Sequence, residues 1–182
     1  MTSVDYITGV VQKLVRKYQT RDPYEICDGL GIRISFKDLG DDLKAYYFSQ
    51  SRIRNIVINN RVPEELQRIL VAHELGHERL HKGVALLKGF QEIELFDATI
   101  PTEYEANLFA SELLIDDDEL LALLGDDDKS FFSVAGELCL PTDFLDFKFR
   151  ILKHKGYPID MQYIANGKTL RGSMGEGFGG EE

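Results

Sequence analysis

The sequence predicts an α+β fold, a small antiparallel sheet packed on a helical bundle. Apolar residues recur at helical spacing within Val4–Tyr18, again between Val62 and Lys82, and from Pro101 onward. Between the first two of these, residues 32–59 break into short runs rich in β-branched and aromatic side chains, separated by polar turns. At 182 residues the chain can bury a substantial core, and its 43% apolar content is that of an ordinary globular protein.

Ile7, Val10, Val11, Leu14, Val15 and Tyr18 lay an apolar stripe along a first helix, Val4–Tyr18, with Lys13, Arg16 and Lys17 on the other side. Asp22-Pro23 caps a second, short helix through Cys27, which Gly29-Leu30-Gly31 ends. The strands are Ile32–Phe36, Leu43–Phe48 and Asn55–Ile58, expected to run as an antiparallel meander. The last of them leads into a helix over Val62–Lys82 with Pro63 in its first turn, and a strand so placed is expected to offer a free edge to an extended peptide. Val84–Ile100 has no period and reads as a connection with one helical turn near Leu86–Phe90, of the kind that forms lids and binding loops. Pro101-Thr102 then opens a third strong helix, Glu103–Leu114, whose buried face carries Ala106, Phe109, Ala110, Leu113 and Leu114. Leu120–Leu124, Phe131–Leu138 and Phe144–Leu152 are closing helices, Pro141-Thr142 starting the last. Residues 1–156 thus form the folded domain, and 157–182 an extension. Its Tyr157-Pro158-Ile159 and Met161–Ile164 are candidates for an added strand, while from about residue 171 it is Gly-rich and expected to be disordered.

The chemistry lies in His73-Glu74-Leu75-Gly76-His77. Positions four apart on a helix are rotated by only about 40° and stand one turn above each other, so both imidazoles can face one ion. Glu74 lies on the same side, where its carboxylate can take a proton from a water that the ion activates. The flanking Ile69-Leu70-Val71-Ala72 and Leu75-Gly76 are apolar. A buried His pair beside a glutamate needs partners, since unpaired polar groups in a core cost several kcal/mol.

A catalytic zinc takes three protein ligands and keeps one position open, so a third ligand is expected on the Glu103–Leu114 helix. Glu103 and Glu105 compete for that role. Thr102-Glu103-Tyr104-Glu105 fits a capping box that ties Glu105 back to the helix start, which leaves Glu103 as the favoured ligand. Asn107, one turn on, is placed to orient a ligand imidazole through its amide. His81 drifts about 80° from His73 around the helix and reads as a capping or substrate-side histidine, and His154 as solvated.

These residues carry a resemblance. His73-Glu74-Leu75-Gly76-His77, followed about thirty residues later by Glu103-Tyr104-Glu105-Ala106-Asn107-Leu108-Phe109-Ala110-Ser111-Glu112-Leu113-Leu114, resembles the H-E-L-G-H and E-x-x-A-N-x-F-A-x-x-L-L signatures of the ImmA/IrrE-type metallopeptidases. Leu80-His81 is also similar to that family, and the likeness extends from the N-terminal helix to roughly Gly156. One departure stands at the helix exit: Leu113-Leu114-Ile115-Asp116 lacks the usual proline. The resemblance implies a zincin-like fold, Glu103 as metal ligand, and as substrate a helix-turn-helix repressor of the XRE type, cut once to switch on a mobile element or a stress response.

Composition narrows the alternatives. A net charge of −10 disfavours binding to nucleic acid, which relies on Lys and Arg neutralising phosphates. Lys148, Arg150, Lys153 and Lys155 make the last helix locally basic, a weak signal for DNA in an acidic chain. Between Gly89 and Asp128 there are thirteen acidic residues and no Lys or Arg, either a solvated surface or one that steers a basic partner. Asp116-Asp117-Asp118 and Asp126-Asp127-Asp128 lack the spacing of a calcium loop and read as caps or solvated charge. Cys27 and Cys139 have no C-x-x-C partner, and each reads as a buried small apolar residue. No secretory signal and no membrane-spanning run is visible, so a cytoplasmic location is expected.

The expected function is that of a zinc-dependent endopeptidase acting on a helix-turn-helix repressor. His73, His77 and Glu103 hold Zn2+, with Mn2+ an alternative; Glu74 is the general base and then the proton donor to the leaving amine; Asn107 supports the ligand shell. Tyr46, Tyr47 and Tyr104 are oxyanion donors by residue type alone. The rival expectation is a regulatory binding module that docks a repressor without cutting it, through a structural or vestigial metal site. Glu74 argues against it, since a purely structural site has no use for that carboxylate.

Overall fold

In a computed structural model the described residues are 2–81, 99–125 and 130–158. The connection expected before Ile100, most of it at 84–98, the aspartates at 126–128 and the extension from 159 onward lie outside them. The chain divides into two compact units, Met1–Asp116 and Asp117–Glu182. The described residues hold seven helices and a three-stranded sheet, an α+β architecture.

In the first unit α1 (Val4–Tyr18) starts where Ser3 accepts the amide of Tyr6 at 3.2 Å, and it buries Ile7, Val11 and Leu14. The α2 helix (Pro23–Leu30) is capped by Asp22, whose side chain accepts the Tyr24 amide at 2.9 Å; it ends on Gly31, at φ 69°, a left-handed conformation that glycine reaches without a Cβ penalty. Three strands follow, β1 (Ile32–Lys37), β2 (Ala45–Gln50) and β3 (Ile53–Asn59). Their order is β1-β3-β2, with β3 antiparallel to β2 and parallel to β1. The expected antiparallel meander is therefore a mixed sheet, and β3, expected to offer a free edge, is its centre.

Two local features impose this order. Ser51 and Arg52 both take positive φ (52° and 67°), the two-residue turn whose twist suits a β2–β3 hairpin. Residues 38–44 are long enough to carry the chain from β1 across to the far side of β3, and Asn59 fastens them there. Its Nδ2 donates to the carbonyls of Gly40 (2.7 Å) and Leu43 (2.8 Å), and its Oδ1 accepts the amide of Arg61 (3.0 Å). With neighbours on both sides, β3 buries Ile56, Val57 and Ile58 in succession.

The α3 helix (Glu64–Leu80) follows Pro63 and packs on α2, β2, β3 and α4 (Pro101–Leu114). It is buried on all sides from Ile69 to Gly76, and α4 is buried from Glu105 to Leu113, so the pair forms the interior of the unit. Gly76 lets them approach: a Cβ there would stand 3.2 Å from the Ala106 Cα. Arg21 closes the far end of α4, donating to the carbonyls of Glu112 (2.9 Å) and Leu113 (3.2 Å) and pairing with Asp116 at 2.7 Å.

In the second unit α5 (Asp117–Leu124) opens with three acidic residues in its first turn, the favourable end of a helix for negative charge. It is followed by α6 (Phe131–Glu137) and α7 (Thr142–His154). Lys148 is fully buried and pairs with Asp117, which Lys155 also reaches at 2.6 Å, while Arg150 pairs with Asp146 at 2.8 Å. Lys148, Arg150 and Lys155, expected to make this helix basic, are thus matched by carboxylates of the same unit. Cys27 is buried as expected, but Cys139, at φ 52° beyond the end of α6, is exposed.

Candidate metal centre

The interior pair α3–α4 carries an unusual load of polar side chains. His73 and Glu74 on α3, and Glu103, Glu105 and Asn107 on α4, are each less than a tenth exposed. Helical spacing stacks His73 and His77 on the face of α3 that meets α4, with ring centroids 4.7 Å apart and nearly perpendicular. Three atoms converge between the helices: His73 Nε2, His77 Nε2 and Glu103 Oε2. The two nitrogens are 3.0 Å apart, and the oxygen stands 3.2 Å from His73 and 3.1 Å from His77. Ligands about 2.0–2.1 Å from a tetrahedral zinc are separated by about 3.3 Å, so this triangle is close to the face of such a site.

The surrounding hydrogen bonds favour a cation there. Asn107 Oδ1 lies 2.9 Å from His73 Nδ1, and an amide oxygen only accepts, so the hydrogen of a neutral His73 ring is on Nδ1. Its Nε2 then presents a lone pair toward His77 and Glu103, both of which also present lone pairs. One shared cation satisfies all three, and the donor set of two imidazoles and a carboxylate suits zinc. The Glu103 carboxyl reflects this setting: burial pushes it up, but the two facing imidazoles, His73 and His77, outweigh burial and hold it far below the usual carboxylate range.

Glu74 is held differently. Burial raises its carboxyl above the ordinary 4.5, with Glu103 adding to the rise, while His77, His73 and the main-chain amide of Tyr47 oppose it. A carboxylate whose charge is disfavoured in this way binds a proton more readily than a solvated one. Tyr47 belongs to β2, so the sheet reaches the site through that strand. The Lys44 carbonyl accepts the Asn59 amide at 2.8 Å, which sets the alternation: Tyr46 and Phe48 direct their main-chain groups at β3, and Ala45, Tyr47 and Ser49 direct theirs at the open side of β2. Among the described residues the sheet edge nearest the histidines is thus β2, not β3.

Glu105 departs from expectation, while His81 takes the capping position that the sequence reading allowed. The capping box does not form: α4 begins at Pro101 after Ile100, and Thr102 lies inside it. Glu105 instead accepts from His81 Nε2 at 3.0 Å and from the main-chain amide of Thr2. These bonds, against burial, hold the Glu105 carboxyl below its ordinary value. His81 stands at the C-cap of α3 and is 7% exposed. Burial pushes its imidazole down, with Glu105 opposing. Glu78, which the sequence reading passed over, is 2% exposed and bound by Arg79 and by Arg54 (3.1 Å). A glutamate within a run of buried helix residues was the signal that it needed such partners. His154 is exposed, as expected.

The chain is similar to two known proteins. The chain is 35% identical over 111 residues to uncharacterized immunity region protein 2 of Bacillus phage phi105, covering 61% of this chain and 69% of that protein. It is 32% identical over 108 residues to metallopeptidase ImmA of Bacillus subtilis strain 168, covering 59% of this chain and 62% of that one. The family and the second relative's name suggest a metallopeptidase, and His73, His77 and Glu103 form a group that could hold a metal ion. A peptidase family model described as the IrrE N-terminal-like domain matches residues 27–150. Because that match spans the whole sheet and both helices of the cluster, the chain belongs to this ImmA/IrrE-type family.

Proposed function

We propose that the protein is a zinc-dependent endopeptidase of zincin-like fold, with His73, His77 and Glu103 holding the metal and Glu74 as general base. The observation that carries this reading is the convergence of His73 Nε2, His77 Nε2 and Glu103 Oε2 within 3.2 Å, with Glu74 buried beside them. Zn2+ held there, or Mn2+, supplies a Lewis acid that acidifies a water and polarises a carbonyl. Glu74 takes the proton of the attacking water and delivers it to the leaving amine; its elevated affinity for a proton suits both steps. Asn107 fixes the His73 ring so that Nε2 faces inward. The open edge of β2 runs past Glu74, and a substrate segment added there as a further strand would lay its backbone along the site.

The substrate in this reading is a helix-turn-helix repressor of the XRE type, met in the cytoplasm and cleaved to release genes of a mobile element or a stress response. Its support is the family match, the immunity region named in the phage relative, and the metallopeptidase named in the bacillar one. Nucleic acid has no place in it: the net charge is −10, and Lys148 and Lys155 are engaged with Asp117.

The test is co-expression with the repressor encoded nearest to it, comparing wild type with Glu74→Gln. The glutamine keeps the metal but cannot take the proton, so cleavage should fall by about 10²- to 10⁴-fold while the zinc content is unchanged. Repressor fragments from the wild type alone establish the reading. An intact repressor that co-purifies equally with both proteins would replace it with the non-proteolytic binding module.

A further inference from the structure

We infer that His81 and Glu105 are positioning residues for the metal site, the outer links of a hydrogen-bonded chain that runs from the Thr2 amide through Glu105 and His81 to His77. The inference rests on the metal reading above, though not on peptidase activity.

The chain is read from which groups can donate. His77 Nε2 is turned to His73 and Glu103, so a His77 ring that binds the ion through Nε2 carries its hydrogen on Nδ1. His77 Nδ1 lies 3.0 Å from His81 Nδ1. Only one hydrogen fits between them, and since His77 supplies it, His81 Nδ1 accepts. The hydrogen of a neutral His81 is therefore on Nε2, which lies 3.0 Å from Glu105 Oε2, a carboxylate that only accepts. Glu105 Oε1 accepts in turn from the Thr2 main-chain amide. Each link permits one direction of donation, and every direction agrees with His77 binding through Nε2.

The arrangement mirrors the one on the other ligand with a longer reach. His73 meets Asn107 at its Nδ1, and that oxygen fixes the ring directly. His77 has an imidazole in that place, and the carboxylate stands one residue further out. A ring polarised by a buried carboxylate is a better acceptor than a neutral amide, so His77 becomes the more basic ligand. Burial explains why the links hold: His81 is 7% and Glu105 4% exposed, so water competes weakly for either. Glu105 is thereby engaged with His81 and Thr2, which leaves Glu103 alone to face the two ligand nitrogens.

Zinc affinity of the full-length protein, measured by competition with a chromophoric chelator, tests the inference in wild type, His81→Leu and His81→Asn. Leucine fills the space without an acceptor, and affinity should fall about ten- to hundredfold. Asparagine places its Oδ1 near the position of the lost Nδ1 and should recover most of that loss. Unchanged affinity in His81→Leu overturns the inference, and so does an equal loss in both variants, which would mark His81 as packing alone. A second measurement needs no variant: 15N spectra of the histidine rings in the zinc-loaded wild type should show His81 with its hydrogen on Nε2, and a hydrogen on Nδ1 overturns the chain. A wild type that takes up no zinc refutes the metal reading itself, an outcome distinct from each of these.

Discussion

Gly76→Ala is the smallest change that probes how closely α3 and α4 must approach. An added Cβ would stand 3.1 Å from Phe109 Cδ1, 3.2 Å from Ala106 Cα and 3.3 Å from the Ala106 carbonyl oxygen. Carbon pairs are most favourable at about 3.5–4.0 Å, so the helices must separate by about 0.3 Å or more. Two of those three atoms are main chain of α4, and Phe109 is fully buried, so no flexible side chain can absorb the shift. Against this stands the better helix propensity of alanine, about 1 kcal/mol. Overpacking of this kind costs about 1–3 kcal/mol, which leaves a net destabilisation of about 0–2 kcal/mol. At about 2–4 °C per kcal/mol for a chain of this size, the metal-free protein should melt up to about 8 °C lower. Because Glu103 rides on the same helix as Ala106, the variant should also bind zinc more weakly than wild type. Thermal unfolding without metal and chelator competition with it read the two effects. A melting temperature raised by the amount that helix propensity alone predicts would refute the claim that this glycine sets the helix spacing.

Two further outcomes follow from buried groups away from the metal. Burial would raise the Glu78 carboxyl, but Arg79 and Arg54 outweigh it and hold it below its ordinary 4.5, so their pairing stabilises the fold above that pH and fades as pH falls through the lower folded value. Arg54→Ala should therefore cost about 1–3 kcal/mol at pH 7, less than a fully broken buried pair because Arg79 remains, and urea titrations should show the deficit shrinking as pH falls through the lowered Glu78 value; a deficit independent of pH would contradict this. Burial, with Glu78 adding to it, pushes the Cys27 thiol up to about 12, whereas Cys139 is exposed. At pH 8 a thiol reagent should modify one cysteine of the native protein, shown to be Cys139 by peptide mapping, and both only after unfolding.

The sequence was most legible where one local rule decides. The apolar period marks α1, Asp22-Pro23 and Gly31 frame α2, and Pro63 and Pro101 stand at the starts of α3 and α4. The i, i+4 spacing brings His73 and His77 together, and the same periodicity puts Glu103 and Asn107 on one face one turn apart. What escaped was what depends on a partner remote in sequence. Strand order is such a property: alternation within each run is the same for a meander and for β1-β3-β2. Yet Ile56-Val57-Ile58, apolar without alternation, carried the mark of a strand covered on both faces. The capping box at Thr102 failed for a similar reason. A local bond to the helix start competed with a buried imidazole 24 residues earlier in the chain, and His81, whose Nε2 faces the Glu105 carboxylate, holds that oxygen instead.

The polar groups of the α3–α4 interface fall into two sets with different needs. Glu105 is matched within the chain by His81 and Thr2, as Glu78 is by Arg54 and Arg79. Glu74 and Glu103 are not matched in this way: no Lys or Arg is paired with either among the described residues, and their nearest charged neighbours are each other and two imidazoles. Leaving two carboxylates buried with only neutral rings is costly, and evolution has cheaper ways to pack two helices. A divalent cation between them balances two negative charges, and its geometric demand is the 3.0–3.2 Å triangle that the side chains already form. The two carboxylates nonetheless differ, Glu103 being held ionised by His73 and His77 while burial raises Glu74. In the proposed reading one stays on the ion and the other picks up a proton and releases it, a difference that a centre built only to join helices does not require.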